Sequence, residues 1–515
     1  MKNLAVVKKG MYFDSVTLMG VSKRLLNLDG VEKVSVSMGT ELNQDLLRDA
    51  QMNTPETDAA TPNDLMIVLR YNDDLDSEVL LEQIEKELSR KPSMDAVGGD
   101  VIPSTVRTAL SAKPNGNLVV LSVPGQYAAY EAMNALRQGL HVMMFSDNVS
   151  VEDEIHLKQY AHEKGLLMMG PDCGTAIINQ TALCFANVVQ NGPVGVVGAS
   201  GTGTQEVTCL LDAAGVGISQ AIGTGGRDLS EAVGATMTID ALHALDQDPT
   251  TKILLVVAKA PDVSVMDKLV NEAKQLTKEV VFCFLSPEKY EDQEKISFAN
   301  TLEEAVLKVL SKLDVNEKFE VELPNKDDID SMLAGLQPTQ KYLRGVFCGG
   351  TLTNEARMIF KQICPDFPVL SNISHEPSEQ LTDPNQSSFN ALIDMGDDLY
   401  TKGRAHPMID PELRNLRLLQ EALDPETAVV LFDLVLGYGA NEDPLTPVLS
   451  VIEKAQQELS AQNRKVNFIG YVLGTDGDPQ NRSYCIERLK QAGVVVAKTN
   501  AQAARIAAQL IKEVK

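Results

Sequence analysis

Apolar, β-branched runs that stop at glycines and pass straight into helical patterns recur through this chain: NLVVLSVPG, LLMMGPDCG, GPVGVVGASGTG, ISQAIGTGG, RGVFCGG, TAVVLFDLVLGYG and VNFIGYVLGTDG. Strand runs without a polar face are buried on both sides, which is the condition of a parallel sheet covered by helices. Alternation of such strands with helices predicts open, doubly wound α/β architecture. Open parallel sheets bind ligands at the carboxyl ends of their strands, so the glycine turns mark where chemistry belongs.

The 515 residues suffice for several domains, each with its own core, since 44% of them are hydrophobic. Residues 1–91 mix short β-like runs with helical patterns and predict a small N-terminal α/β unit. Residues 92–116, rich in Pro, Gly and Ser, read as a linker or long loop. A Rossmann-like strand and helix series fills 117–190, and a flavodoxin-like parallel unit fills 192–313. An acidic, Pro-containing stretch, 314–340, leads to a recurrence of the same plan with longer loops over 341–515. Two tandem units of one kind are expected.

Composition removes several function classes. The net charge of −25 argues against a nucleic-acid groove or an anionic membrane surface, both of which require a positive face. No apolar run reaches the 18 residues of a membrane span, and the apolar stretch at the N-terminus is too short for a signal peptide, so a cytoplasmic protein is expected. Seven cysteines without CxxC spacing read as buried thiols, and six scattered histidines with no Trp disfavour zinc sites and base-stacking platforms.

Among the strand ends, GASGTGTQE is the strongest anion-binding candidate: Ala199, Ser200, Gly201 and Thr202 combine close backbone approach, hydroxyl donors and the N–H groups of a following helix. A tight strand-to-helix turn needs the same glycines for steric reasons alone, and the P-loop lysine is missing. In GTGGRDLS, Gly225 and Gly226 precede Arg227 and Asp228, which read either as a bidentate anion clamp or as a surface ion pair with Asp228 capping a helix. Lys259 emerges after the apolar run ILLVVA, at the lip of a sheet where an oxyanion or phosphate is stabilised; a snorkelling lysine is the alternative. Cys173, in GPDCGT, has no histidine partner in a pairing motif and reads as a packed thiol. The loop IDMGDDLYTKGRAHPMIDP gathers Asp394, Asp397, Asp398, Lys402, Arg404, His406 and Asp410, a polar loop long enough to be functional, with its aspartates a conceivable magnesium site.

The run from GPDCG through GASGTGTQE to GTGGRDLS resembles the α subunit of succinyl-CoA synthetase over about residues 117–290, and IDMGDD followed by LFDLVLGYGANEDP resembles the ligase domain of that enzyme's β subunit. Over nearly its whole length, through FDSVTLMGVSKRL, MMFSDNVSVEDEIHLKQYAHEKGLLMMGPDCGT, CGGTL and HPMIDP, the chain resembles the FdrA family of acyl-CoA synthetase-like proteins. The resemblance implies a Rossmann-like CoA-binding-type domain and two tandem flavodoxin-like, succinyl-CoA-synthetase-type ligase domains. It also implies separately encoded partner subunits, a small-molecule substrate and oxamate carbamoyltransferase chemistry, in which phosphate attacks a ureido group to give carbamoyl phosphate.

On that resemblance Ala199 to Thr202 and the opposing turn Gly437 to Gly439 hold phosphate or carbamoyl phosphate. Arg227, Lys259 and Arg404 stabilise the oxyanion and substrate carboxylate, with Gly225, Gly226 and Asp228 lining the substrate, and His406 shuttles the proton. Asp172 and Cys173 fall beside the family's CoA turn, so CoA is a further candidate ligand. The phosphohistidine motif GHAG and an ATP-grasp domain are both missing from the sequence, and Lys259 stands where the α subunit carries a glutamate. An acyl-CoA synthetase subunit and a non-catalytic scaffold are the rival readings.

Overall fold

The computed structural model describes residues 2–11, 15–73, 75–89, 103, 105–315, 324–401 and 404–514. Parts of the 92–116 and 314–340 stretches, and Lys402, lie outside them. The chain divides into two compact units: residues 1–105 with 398–410, and residues 106–397 with 411–515.

In the first unit, β1 (Lys2–Lys8), β2 (Val31–Met38) and β3 (Leu65–Tyr71) form an antiparallel sheet in the order β1-β3-β2. Central β3 splits its side chains by the two-residue period of a strand. Leu65, Ile67 and Leu69 join Leu18, Val21, Leu25 and Ile84 of the Ser15–Leu26 and Ser77–Ser89 helices, while Met66 and Val68 pack with Leu47 and Met52 on the other face. Both faces of β3 are therefore dry.

The second unit holds three sheets. Strands β4 (Leu118–Leu121), β5 (His141–Met144) and β6 (Met168–Met169) are parallel and adjacent in that order. A seven-stranded sheet contains β7 (Thr175–Ile178), β8 (Thr181–Cys184), β9 (Asn191–Gly198), β10 (Ile218–Gly223), β11 (Ile253–Lys259), β12 (Glu279–Leu285) and β13 (Ile296–Ala299). Its order is β13-β12-β11-β9-β10-β7-β8, with the β7–β8 hairpin antiparallel at one edge and the other five strands parallel. The parallel part has the flavodoxin order, and the chain reverses direction across the sheet between β9 and β11, the place where such sheets open a crevice.

The third sheet comprises β14 (Tyr342–Phe347), β15 (Val369–Leu370), β16 (Asn390–Asp394), β17 (Thr427–Val435), β18 (Asn467–Leu473) and β19 (Val495–Ala497). It is parallel throughout, in the order β15-β16-β14-β17-β18-β19, and it reverses at β14. All nine residues of β17 and the first six of β11 are buried, as continuous apolar runs require. Among the described residues no helix is long and apolar enough to cross a membrane.

Candidate functional site

The reversal points of the two larger sheets meet. At the end of β9, Gly198 and Ala199 lead to Ser200, which caps the Gly201–Ala213 helix: its Oγ accepts the Gly203 N–H at 3.1 Å. The Ala199 N–H donates to the Val257 carbonyl at 2.9 Å, which fixes the turn against β11. At the end of β14, Cys348 and Gly349 lead to the Gly350–Ile363 helix, whose cap, Gly349, has no side chain to satisfy the first turn. The two helix starts touch. Ser200 Oγ and Thr351 Oγ1 are 2.5 Å apart, and a Cβ on Gly349 would stand 2.6 Å from the Thr202 methyl group.

The first N–H groups of a helix have no acceptor within it and carry about half a positive charge between them. Two such ends converge here with hydroxyls from Ser200, Thr202 and Thr351, which suits an anion with several oxygens. The cation Lys259, last residue of β11, is exposed at the same sheet lip.

Acidic side chains line the other wall. Asp394 ends β16 and pairs in register with Phe347 of β14. Its Oδ1 accepts the Gly396 N–H at 2.8 Å, and its Oδ2 lies 2.9 Å from where a Cβ on Gly350 would be. Burial first, then repulsion from Asp397 and Asp433 against the pull of Lys259 and the Gly396 bond, raises the Asp394 carboxyl to about 7. Asp433, on β17, accepts the Cys348 N–H at 3.0 Å through both oxygens and is backed by the buried Arg414, whose guanidinium donates to the Asp433 backbone and side chain. This carboxylate holds the turn that opens the Gly350 helix.

Other candidates from the sequence are engaged elsewhere. The Arg227 guanidinium pairs with Glu154 at 2.8 Å and donates to the Val149 carbonyl, so it ties its turn to the Val151–Lys164 helix. Asp228 is fully buried. It binds Lys158 at 2.7 Å and accepts from the N–H and hydroxyl of Thr238, an arrangement that is neither an anion clamp nor a surface pair. A Cβ on Gly225, at φ +86°, would lie 2.4 Å from the Pro171 carbonyl, so this glycine permits close packing of two turns; exposed Gly226 stands near Ala199.

Asp172 is exposed and its N–H donates to Ser146, whereas Cys173 is buried, with its thiol pushed up to about 12 by desolvation. The turn from Gly437 to Gly439 has two of its N–H groups already engaged. The Gly437 N–H is taken by Gln480 at 3.1 Å and the Tyr438 N–H by the Ala186 carbonyl at 2.8 Å, because this turn stitches β17 to the segment after β8. Thr351 occupies the opposing place instead.

Arg404 and His406 belong to the 398–410 segment of the first unit. The Arg404 N–H donates to Thr401, and His406 Nδ1 accepts the Met408 N–H at 3.2 Å. Desolvation lowers the His406 imidazole to about 4, so it is neutral near pH 7, its proton rests on Nε2, and it is a weak base. Among the described residues no group of three or more His, Cys, Asp or Glu side chains is placed to hold a metal, the aspartates of this loop included.

Comparison with known proteins joins this geometry to a lineage. Residues 189–285 match a CoA-binding domain and residues 346–510 a CoA-ligase domain, stretches that contain the two converging helix starts. The Escherichia coli (strain K12) protein YahF is 44% identical over 508 residues, which is 98% of each chain. The chain belongs to the FdrA-like family. This FdrA-like protein also resembles the α subunit of ADP-forming succinate–CoA ligase from Staphylococcus epidermidis, with 29% identity over 32% of the chain and 54% of that subunit. The corresponding subunit 1 of Archaeoglobus fulgidus is 28% identical over 36% of the chain and 63% of the subunit. A solved dinucleotide-forming acetyl-coenzyme A synthetase 1 of Candidatus Korarchaeum cryptofilum, in complex with phosphate and ADP, aligns over 82% of the chain and 87% of its own, with 14% identity and a TM-score of 0.34. The two domain matches and the succinate–CoA ligase relatives make the protein a member of the CoA-ligase and succinyl-CoA synthetase-like superfamily.

Residues 1–101 match the AllF heavy metal-associated domain. Soft metal ions are held mainly by thiolate and imidazole, with thioether as a weaker donor; these residues contain neither Cys nor His, and Met38, Met52 and Met66 are buried in the two cores. Without thiolate or imidazole, the residues present do not fit the usual heavy-metal donor set.

Proposed function

We propose that this FdrA-like protein is a subunit of a phosphate-dependent carbamoyl or acyl transferase, in which phosphate is held between the Ser200 and Thr351 helix starts. The observation that carries this reading is the 2.5 Å contact between those hydroxyls, at the meeting of two sheet reversal points with Lys259 on the rim. Backbone donors fixed in place before the reaction stabilise developing negative charge without reorganisation. The sequence lacks the GHAG phosphohistidine motif, so phosphate attacks the carbonyl carbon of the substrate itself. A ureido substrate then yields carbamoyl phosphate. Lys259 stabilises the tetrahedral oxyanion, and separately encoded subunits complete the assembly.

The CoA-binding and CoA-ligase matches favour a second reading, an acyl-CoA synthetase subunit. Thermal stabilisation by phosphate, carbamoyl phosphate, CoA and ATP, measured in parallel on the full chain, separates the two, because ligands of the native state raise its midpoint by mass action. The transferase reading expects phosphate or carbamoyl phosphate to raise the midpoint, and the Ser200→Ala, Thr351→Val double variant to lose that shift. A CoA shift with no phosphate response would overturn it in favour of the synthetase.

A further inference from the structure

Asp394 is held beside the proposed phosphate site more rigidly than a solvating carboxylate needs to be. Its N–H donates to Asn372 Oδ1 and its carbonyl accepts from Asn372 Nδ2, both at 3.0 Å, so the backbone is clamped on either side. The residue is 6% exposed, Gly396 fixes Oδ1, and Oδ2 is directed at the first turn of the Gly350 helix, where the absence of a side chain on Gly350 leaves it room.

The charged groups around it come from every neighbouring element: Asp397 from its own loop, Asp433 from β17 with Arg414 behind it, and Lys259 from β11. Two acids and burial oppose ionisation while one cation favours it. A carboxyl so placed sits near the middle of its titration at neutral pH, the condition for taking and giving a proton in one cycle.

We propose that Asp394 is the catalytic proton carrier of this cleft, and that occupation of the cleft by a dianion draws a proton onto its carboxyl. The inference rests on the reading of the cleft as a phosphate site. In the transfer, a phosphate oxygen of HPO4²⁻ forms a bond to the ureido carbon. As the carbon–nitrogen bond breaks, the Asp394 carboxyl protonated on binding gives its proton to the leaving nitrogen, and the carboxylate so formed takes the proton of the attacking phosphate oxygen. The products are carbamoyl phosphate and the free amide, with no net change at Asp394.

Sulfate is the probe, since it is a dianion that does not itself titrate near neutrality. Isothermal titration calorimetry of the full chain with sulfate, in buffers of different ionisation enthalpy, reads the protons taken up on binding. The wild-type protein is expected to take up about half a proton at pH 7, with uptake fading toward pH 5 and pH 9, as linkage to a group titrating near 7 requires. Asp394→Asn, nearly isosteric, is expected to bind sulfate with no uptake.

Sulfate binding without uptake in the wild type, or uptake that survives in Asp394→Asn, overturns the role of Asp394 and leaves the anion site standing. Failure of the wild type to bind sulfate at all overturns the site, and this proposal with it. The bell-shaped pH profile of wild-type uptake is a test that needs no variant to fold.

Discussion

At the residue scale, the side chains that meet at the two helix starts differ from those that look most reactive in the sequence. Arg227 has the form of an anion clamp, yet its guanidinium is committed to Glu154 and Val149. Arg227→Ala is expected to lower the thermal midpoint while leaving the sulfate-induced shift intact; loss of that shift in a folded variant would return Arg227 to the site. Gly349 has the opposite character, as an inert residue on which the geometry depends. A Cβ there meets Thr202 at 2.6 Å and must push the two helix starts apart, a strain of about 1–3 kcal/mol by comparison with overpacked cores. Gly349→Ala is therefore expected to abolish phosphate-induced stabilisation in calorimetry and to depress the midpoint by a few degrees. Gly226→Ala, with nothing closer than 4.0 Å, serves as the control.

At the scale of elements, the Gly201–Ala213 and Gly350–Ile363 helices and the start of the Asn500–Glu513 helix enclose a polar seam. Glu206 accepts from the Tyr471 hydroxyl at 2.5 Å, and Glu355 accepts from Asn500 at 2.8 Å and from the Leu302 N–H at 2.7 Å. Burial raises both carboxyls, Glu206 to about 8 with a contribution from Glu355, and Glu355 to about 7 with one from Glu303. The folded state thus keeps protons that the unfolded chain releases above about 4.5, so stability is greatest below that pH and falls as pH rises through 7 and 8. Asp394 adds to the same trend. Denaturant unfolding followed from pH 5 to 9 is expected to show the decline, and Glu206→Gln to flatten it; a stability maximum near pH 8 would contradict the burial of these acids.

The elements themselves were legible in the sequence, because a parallel strand buried on both faces must read as an unbroken apolar run, as β11 and β17 do. Ser200 and Lys259 were legible as strand-end residues for the same reason. The pairing of Ser200 with Thr351 was not, since the two are 151 positions apart and nothing local in CGGTL distinguishes an anion turn from a tight one. Nor was the Gly437 turn legible as structural, because the Gly437 and Tyr438 N–H groups are consumed by Gln480 and Ala186, contacts that only tertiary folding creates.

At the scale of the whole molecule, the two compact units differ in how their chemistry is supplied. The larger one brings together the switch points of two sheets, each contributing a helix start and a strand-end charged group, so the proposed phosphate site needs both sheets. The smaller one matches a heavy metal-associated domain and keeps a covered antiparallel sheet, yet all seven cysteines and six histidines of the chain fall after residue 101. Cores are fixed by size and pattern, whereas metal affinity is fixed by a few donor atoms, so a fold of this kind persists after its ligands are gone. Six of the seven thiols are buried in the second unit, where desolvation holds them protonated and unsuited to ligation. The full chain, incubated with Cu(I) or Zn(II) and passed over a chelator of micromolar affinity, is accordingly expected to retain well under one equivalent by elemental analysis. Retention of a full equivalent that persists when Cys184, the one thiol not fully buried, is replaced by serine would restore a metal to the N-terminal unit.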